Sequence, residues 1–200
     1  MNYKEETRNS YNKNARKFSE KFLELMDLKK RGEFQRFISL IPGKKILDLG
    51  CGSGDHAYFF QQKGLDVIAV DISEEMINLC KKKGINAFIM DIEDLKFEDN
   101  TFDGIWAVTS LLHIPKSKLP AVIDKLHKIL KKNGILHVCV KEGIGEKIIK
   151  DEDKNTRRFF AFWQEEEILK LFRGNFAIIS SEKAGLGKTI FLQFFFKKPN

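Results

Sequence analysis

Apolar residues recur along this chain with two different periods. Phe34, Phe37, Ile38 and Ile41 fall at helical spacing, as do Phe18, Phe22 and Leu25 before them, so two N-terminal helices are expected ahead of any strand. The period then shortens. "KKILDLG", ending at Gly50, and "LDVIAVD" (65–71) are near-continuous apolar runs, the mark of strands buried on both faces of a parallel sheet. "DHAYFFQQKG" between them has room for one helix. "SEEMINLCKKKG" (73–84) predicts the next, with Ser73 as N-cap, acids in the first turn, lysines in the last and Gly84 as stop, each placed as the helix dipole favours. Strands are expected again at "INAFIMD" (85–91), "TFDGIWAV" (101–108) and "GILHVCV" (134–140). The stripe Leu119, Val122, Ile123, Leu126, Ile129 and Leu130 supplies the helix before the last of them. This alternation is a doubly wound α/β pattern. Beyond residue 141 the chain is charged and poorly periodic until "QEEEILKLF", which reads as a helix. Two β-type runs, "FAIIS" (176–180) and "TIFLQFFF" (189–196), then close it as an antiparallel hairpin.

Composition narrows the picture without deciding it. Two hundred residues with 42% apolar content suffice for one well-packed domain, and no repeat or low-complexity linker divides the chain. A net charge of +7 permits attraction to phosphates, but the lysines are scattered along helices and form no compact basic stripe. Cys51, Cys80 and Cys139 make no CxxC pair and leave one over in any pairing, which fits reduced thiols in a cytoplasmic protein. The polar N-terminus has no secretory character, and no apolar run approaches the roughly 20 residues of a membrane helix. A soluble protein is expected, with no metal site and no membrane partner.

The chemistry gathers in "ILDLGCGSGDH" (46–56). Gly50, Gly52 and Gly54 follow the first strand, where a parallel sheet presents ligands with the C-terminal ends of its strands and where backbone without Cβ can approach closely. The dinucleotide fingerprint GxGxxG wants a glycine where Asp55 stands, and a carboxylate there would repel a pyrophosphate. Asp48 ahead of the turn suits instead a ligand carrying positive charge. Asp71 ends the second strand, where a carboxylate can accept both ribose hydroxyls. Asp91 ends the third, where one can accept from the amino group of adenine. "GLGKT" (185–189) mimics part of a P-loop, but Glu182 occupies the first glycine position and a strand follows, so it reads as a hairpin loop.

"ILDLGCGSG", "VIAVDIS", "MDIEDLKFEDNTFDGI" and "LKKNGIL" resemble, in order and spacing over residues 46–140, the successive motifs of class I S-adenosylmethionine-dependent methyltransferases. The resemblance implies a three-layer Rossmann-like sandwich: a mostly parallel seven-stranded sheet of order 3-2-1-4-5-7-6 with its last strand antiparallel. It implies a single domain, with residues 1–42 as a helical cap, 43–140 as cofactor-binding core, 141–166 as substrate lid and 167–200 as last helix and hairpin. It assigns Gly50, Gly52 and Gly54 to the methionine and ribose parts of S-adenosylmethionine, Asp71 to the ribose, and Asp91 with the Ile92 backbone to the adenine. Ile72 would pack on the adenine face, and Asp48, Ala107 and Val108 complete the set. Cys51 is a small loop residue there and not a nucleophile. "YNKNARKF" is similar to a cofactor-capping helix in relatives, which makes Tyr11, and after it Phe18, lid candidates.

Methyl transfer from a sulfonium asks chiefly for alignment and exclusion of water. His113 in "TSLLHIP" is the candidate general base. "AVTSLLH" stands where methylases of base amino groups carry [DN]PP[YF], and no Pro-Cys nucleophile of a cytosine-C5 enzyme is present. "NTRRFFAFW" falls in the region where relatives build an acceptor lid. The leading expectation is therefore an O- or N-methyltransferase of a small molecule. The alternatives are an RNA or protein methyltransferase using Arg157, Arg158 and the lysine surface, and a non-catalytic cofactor-binding partner subunit.

Overall fold

The computed structural model describes residues 2–25, 32–151 and 155–200; the side chains of Phe22 and Leu25 lie outside the described residues. Two helices, α1 (Tyr3–Leu25) and α2 (Gly32–Leu40), lead into β1 (Lys45–Leu49), α3 (Asp55–Gln62), β2 (Asp66–Asp71), α4 (Glu74–Lys82), β3 (Asn86–Ile89), β4 (Phe102–Val108), α5 (Leu119–Ile129) and β5 (Leu130–Lys141). After β5 come β6 (Glu146–Asp151), β7 (Thr156–Ala161), α6 (Glu165–Phe172), β8 (Ala177–Leu186) and β9 (Thr189–Lys197). The main sheet has the order β3-β2-β1-β4-β5-β9-β8. Counting only its own strands this is 3-2-1-4-5-7-6, with β9 antiparallel to both neighbours. β1 runs parallel to β2 on one side and β4 on the other, so the strand order reverses between them and a crevice opens above their C-terminal ends.

Apolar runs become central strands because both faces are covered. All seven residues of β4 are buried. On one face Trp106 meets Phe37, Phe60 and Phe34, the last at 4.7 Å between ring centroids, and its indole N–H donates to His56 Nδ1 at 3.0 Å. On the other face Phe102, Leu136, Phe172 and Phe196 share a second core with α5 and α6. These two layers hold the strand tips rigid.

Two features depart from the periodicity. Residues 146–151 and 156–161, which carry no apolar alternation, form an antiparallel strand pair, β6–β7, outside the main sheet. Such a pair is marginal alone. α1 completes it: Thr7 Oγ1 accepts the Phe159 N–H at 3.1 Å, while Ser10 Oγ accepts from Arg157 N–H at 3.0 Å and donates to Arg157 O at 2.6 Å. Helix side chains thus satisfy the open edge of β7 that would otherwise template aggregation. The second departure is β8, which continues past Ser180 to Leu186, so that "GLGKT" is the tip of a hairpin whose turn is Gly187–Lys188.

Candidate active site

Above the strand tips lies a cavity of about 960 Å³. One end is made by the loops after β1, β2 and β3. Gly50 and Cys51 donate their N–H groups to Val70 O, tying the first loop to β2. Asp71 then fixes the loop's outer limb: its carboxylate accepts from Gly52 N–H and from Ser73 N–H, both at 2.9 Å. Burial raises the Asp71 pKa, and these amides oppose the rise. Asp91 caps a short 3-10 turn by accepting from Glu93 N–H at 2.9 Å, and its other oxygen meets Lys4 Nζ at 2.6 Å.

α1 forms one wall. Tyr3 donates to Glu93, Lys4 pairs with Asp91 and Glu93, Thr7 and Ser10 hold β7, and Asn12 accepts from Ser73 Oγ at 2.7 Å. Residues 3, 4, 7, 10 and 11 share one face of the helix at the spacing of an amphipathic stripe, but the stripe is polar.

The opposite end is aromatic and cationic. His113, closing a 3-10 turn after β4, has Nδ1 2.6 Å from Phe159 O and Nε2 2.8 Å from Tyr11 Oη. A carbonyl only accepts, so Nδ1 carries the proton and Nε2 accepts from the Tyr11 hydroxyl. Arg158 Nη1 donates to the same hydroxyl at 3.2 Å. Burial, with the charges of Arg158 and Lys141, holds the His113 pKa down at about 3. The imidazole is therefore neutral at physiological pH. Phe18, Phe160 and Lys141 also line this end, and the β8–β9 hairpin contributes Leu186 and Phe191 to the rim.

Comparison with known proteins agrees with this architecture. Residues 46–134 match the model of a methyltransferase domain. The phosphoethanolamine N-methyltransferase 3 of Arabidopsis thaliana is 32% identical over 126 residues, which are 60% of this chain and 25% of that protein. The chain thus spans about a quarter of the length of that relative. The DhpI–SAH complex superposes with a TM-score of 0.81 at 20% identity, covering 98% of this chain and 97% of that one. The 1,6-didemethyltoxoflavin-N1-methyltransferase of Burkholderia thailandensis, solved with 1,6-didemethyltoxoflavin and S-adenosylhomocysteine, does so at 0.67 and 19% identity, covering 97% and 91%. The chain shares the fold of these solved structures, and its residues 46–134 are similar to a methyltransferase domain.

The similar Burkholderia thailandensis methyltransferase holds S-adenosylhomocysteine, the product of S-adenosylmethionine, whose sulfonium carries an electrophilic methyl group. The loop end fits it on independent grounds. Gly52 has φ +53° with nothing within 4 Å of where a Cβ would stand, so its backbone faces open cavity at the point where a ligand needs close approach. Gly50, Cys51, Gly52, Asp71, Ile72, Asp91, Ile92 and Val108 all line the same cavity, and Tyr11 joins them from α1.

Three expected residues stand behind the wall instead. Gly54 turns at φ +81° with its Cβ position 2.6 Å from Ile85 Cδ1, so what it serves is the packing of α3 onto its neighbours. Ala107 is fully buried in β4. Asp48 is 2% exposed, and burial first, then the charge of Asp71, pushes its pKa up to about 8. Burial thus favours its neutral form, and the side chain stands behind the loop and outside the cavity lining. Cys51 Sγ lies 3.6 Å from Cys80 Sγ, and that contact with burial holds its pKa well above the ordinary thiol value. It stays a thiol. No periodic or motif signal marks Lys4 or Lys141; Arg158 and Phe160 stood out within "NTRRFFAFW".

Proposed function

We propose that this chain transfers a methyl group from S-adenosylmethionine to an oxygen or nitrogen nucleophile of a small molecule held between α1 and β7. The observation that carries the reading is the form of the cavity: one continuous space runs from the strand tips to a chamber walled by Tyr11, Phe18, His113 and Phe160. Its size suits a nucleoside and a small acceptor together, and α1 is fastened across it to backbone atoms of β7. A nucleic acid or protein acceptor calls for a groove open along its length; Arg158, which lines the chamber, has its side chain only 18% exposed. The 1,6-didemethyltoxoflavin-N1-methyltransferase, similar in fold, was solved with 1,6-didemethyltoxoflavin bound.

Within this reading the residues work by placement. Asp71, Gly52 and Asp91 hold the adenosyl part; the aromatic chamber excludes water and sets the acceptor in line with the methyl group. His113, neutral with a conjugate-acid pKa of about 3, is too weak a base to take a proton efficiently, so we assign it to orienting Tyr11 in place of general-base work. Incubating the protein with methyl-labelled cofactor and separate pools of small metabolites, RNA and protein tests this. Label in the small-molecule pool is expected. Label confined to RNA or protein contradicts the proposal, as does none in any pool from protein that binds the cofactor.

A further inference from the structure

Most lysines near the cavity and on its supporting elements sit on a carboxylate. Lys4, Lys83, Lys116, Lys118 and Lys131 each lie within 2.9 Å of one. Lys141 does not. It ends β5 inside the chamber, its Nζ 4.4 Å from the centroid of Phe160, and no carboxylate among the described residues lies within 4 Å of it. Beside it is a second cation. Arg158 packs its guanidinium over Phe18 at 4.5 Å and Phe160 at 5.2 Å. Nη1 is used on Tyr11, Nη2 stands 4.0 Å from Asp151 Oδ2, and Nε is buried with no hydrogen-bond partner. The chamber therefore holds two cations against one loosely placed carboxylate. Burial and the Arg158 charge lower the Lys141 pKa accordingly.

Leaving two like charges in a half-enclosed apolar site is costly. An oxyanion would relieve it. The outer guanidinium N–H groups of arginine match carboxylate and phosphate oxygens, while a lysine ammonium serves as a point charge. We propose that the methyl acceptor carries an oxyanion, a carboxylate or phosphate-type group, which Lys141 and Arg158 bind at this end of the cavity. The proposal rests on the small-molecule reading above and specifies its acceptor. Phe18 and Phe160, flanking the guanidinium, would cover the apolar part of the molecule. The residues involved, 18, 141, 158 and 160, come from three elements that meet only in the folded chain.

Calorimetric titration of the protein, free and saturated with S-adenosylhomocysteine, uses three probes of similar shape at constant ionic strength: benzoate, phenyl phosphate and neutral benzamide. At least one anion is expected to bind saturably, with benzamide weaker by roughly tenfold or more, the worth of a charge-assisted contact. Tighter benzoate identifies a carboxylate acceptor, tighter phenyl phosphate a phosphate-type one. Lys141→Met and Arg158→Met should each weaken the preferred anion by roughly tenfold or more, while unchanged affinity for S-adenosylhomocysteine shows that the variants are folded. Benzamide binding as well as the anions, no anion binding, or anion binding unaffected in both variants overturns the proposal. Failure of wild-type protein to bind S-adenosylhomocysteine would instead count against the cofactor reading, and the titrations of the free protein would still decide the anion site.

Discussion

The two ends of the cavity differ in sign and in how they are held. At the strand tips, Asp71 and Asp91 are fixed by backbone amides of the same loops, so the negative end is a product of local geometry. At the far end Lys141 and Arg158 are placed by β5 and β7, and Tyr11 by a helix whose grip on the β7 backbone includes three hydrogen bonds to Thr7 and Ser10. The first end is embedded in the two-layer core. The second is a surface strand pair and a helix fastened together by polar contacts, each worth about 0.5–1.5 kcal/mol. A site that grips a common cofactor at its rigid end and an acceptor at its looser end can change its acceptor without disturbing its cofactor.

The contrast breaks most visibly at Gly54. Leucine there meets Ile85 and Cys80 at 2.6 and 2.8 Å and must hold φ +81°, so overpacking of roughly 1–3 kcal/mol adds to about 1–2 kcal/mol of left-handed strain. Urea unfolding should show that loss together with loss of cofactor binding. Asp71→Asn comes next. It removes the charge proposed to meet the ribose and is expected to weaken S-adenosylhomocysteine by roughly ten- to a hundredfold, with anion affinity at the other end unchanged by calorimetry.

The two ends also answer pH in opposite directions. Unfolded His113 takes a proton near 6.5 but the folded one only near 3. Between those values the unfolded state binds more protons, and stability falls as acid is added, by up to about 1.4 kcal/mol per pH unit. Asp48 ionises near 3.8 unfolded and near 8 folded, so the native state holds the extra proton in that window and stability falls as pH rises through it. In unfolding curves taken from pH 4 to 9, His113→Gln should flatten the acid limb and Asp48→Asn the alkaline one. The smallest effect is expected for Ser10→Ala, which loses two bonds to Arg157. About 1 kcal/mol of α1 docking should appear as faster hydrogen exchange in α1 and β7, with β1 and β4 unchanged.

The negative end was legible in the sequence because its chemistry is contiguous: a glycine loop and two strand-terminal acids can be read wherever apolar runs stop. Strand order followed from the same motifs through the resemblance they carry. The positive end was legible only in part, through Tyr11, Phe18, His113 and "NTRRFFAFW"; its assembly was not. Lys141 closes an ordinary strand, Arg158 lies in a strand pair without alternation, and the α1 stripe at residues 3, 4, 7, 10 and 11 is helical in spacing but polar, so no hydrophobic period reveals it. Asp48 shows the converse limit. Its place before the loop could be read, but its burial and protonation depend on Asp71 and on a core that only folding assembles.

The account stands on the negative end selecting an adenosyl sulfur compound over a pyrophosphate carrier. Calorimetry of the wild-type protein with S-adenosylhomocysteine and with NAD tests that directly. One molecule of S-adenosylhomocysteine should bind per chain, and NAD should neither bind nor compete; silence from the first, or displacement of it by the second, would contradict the account.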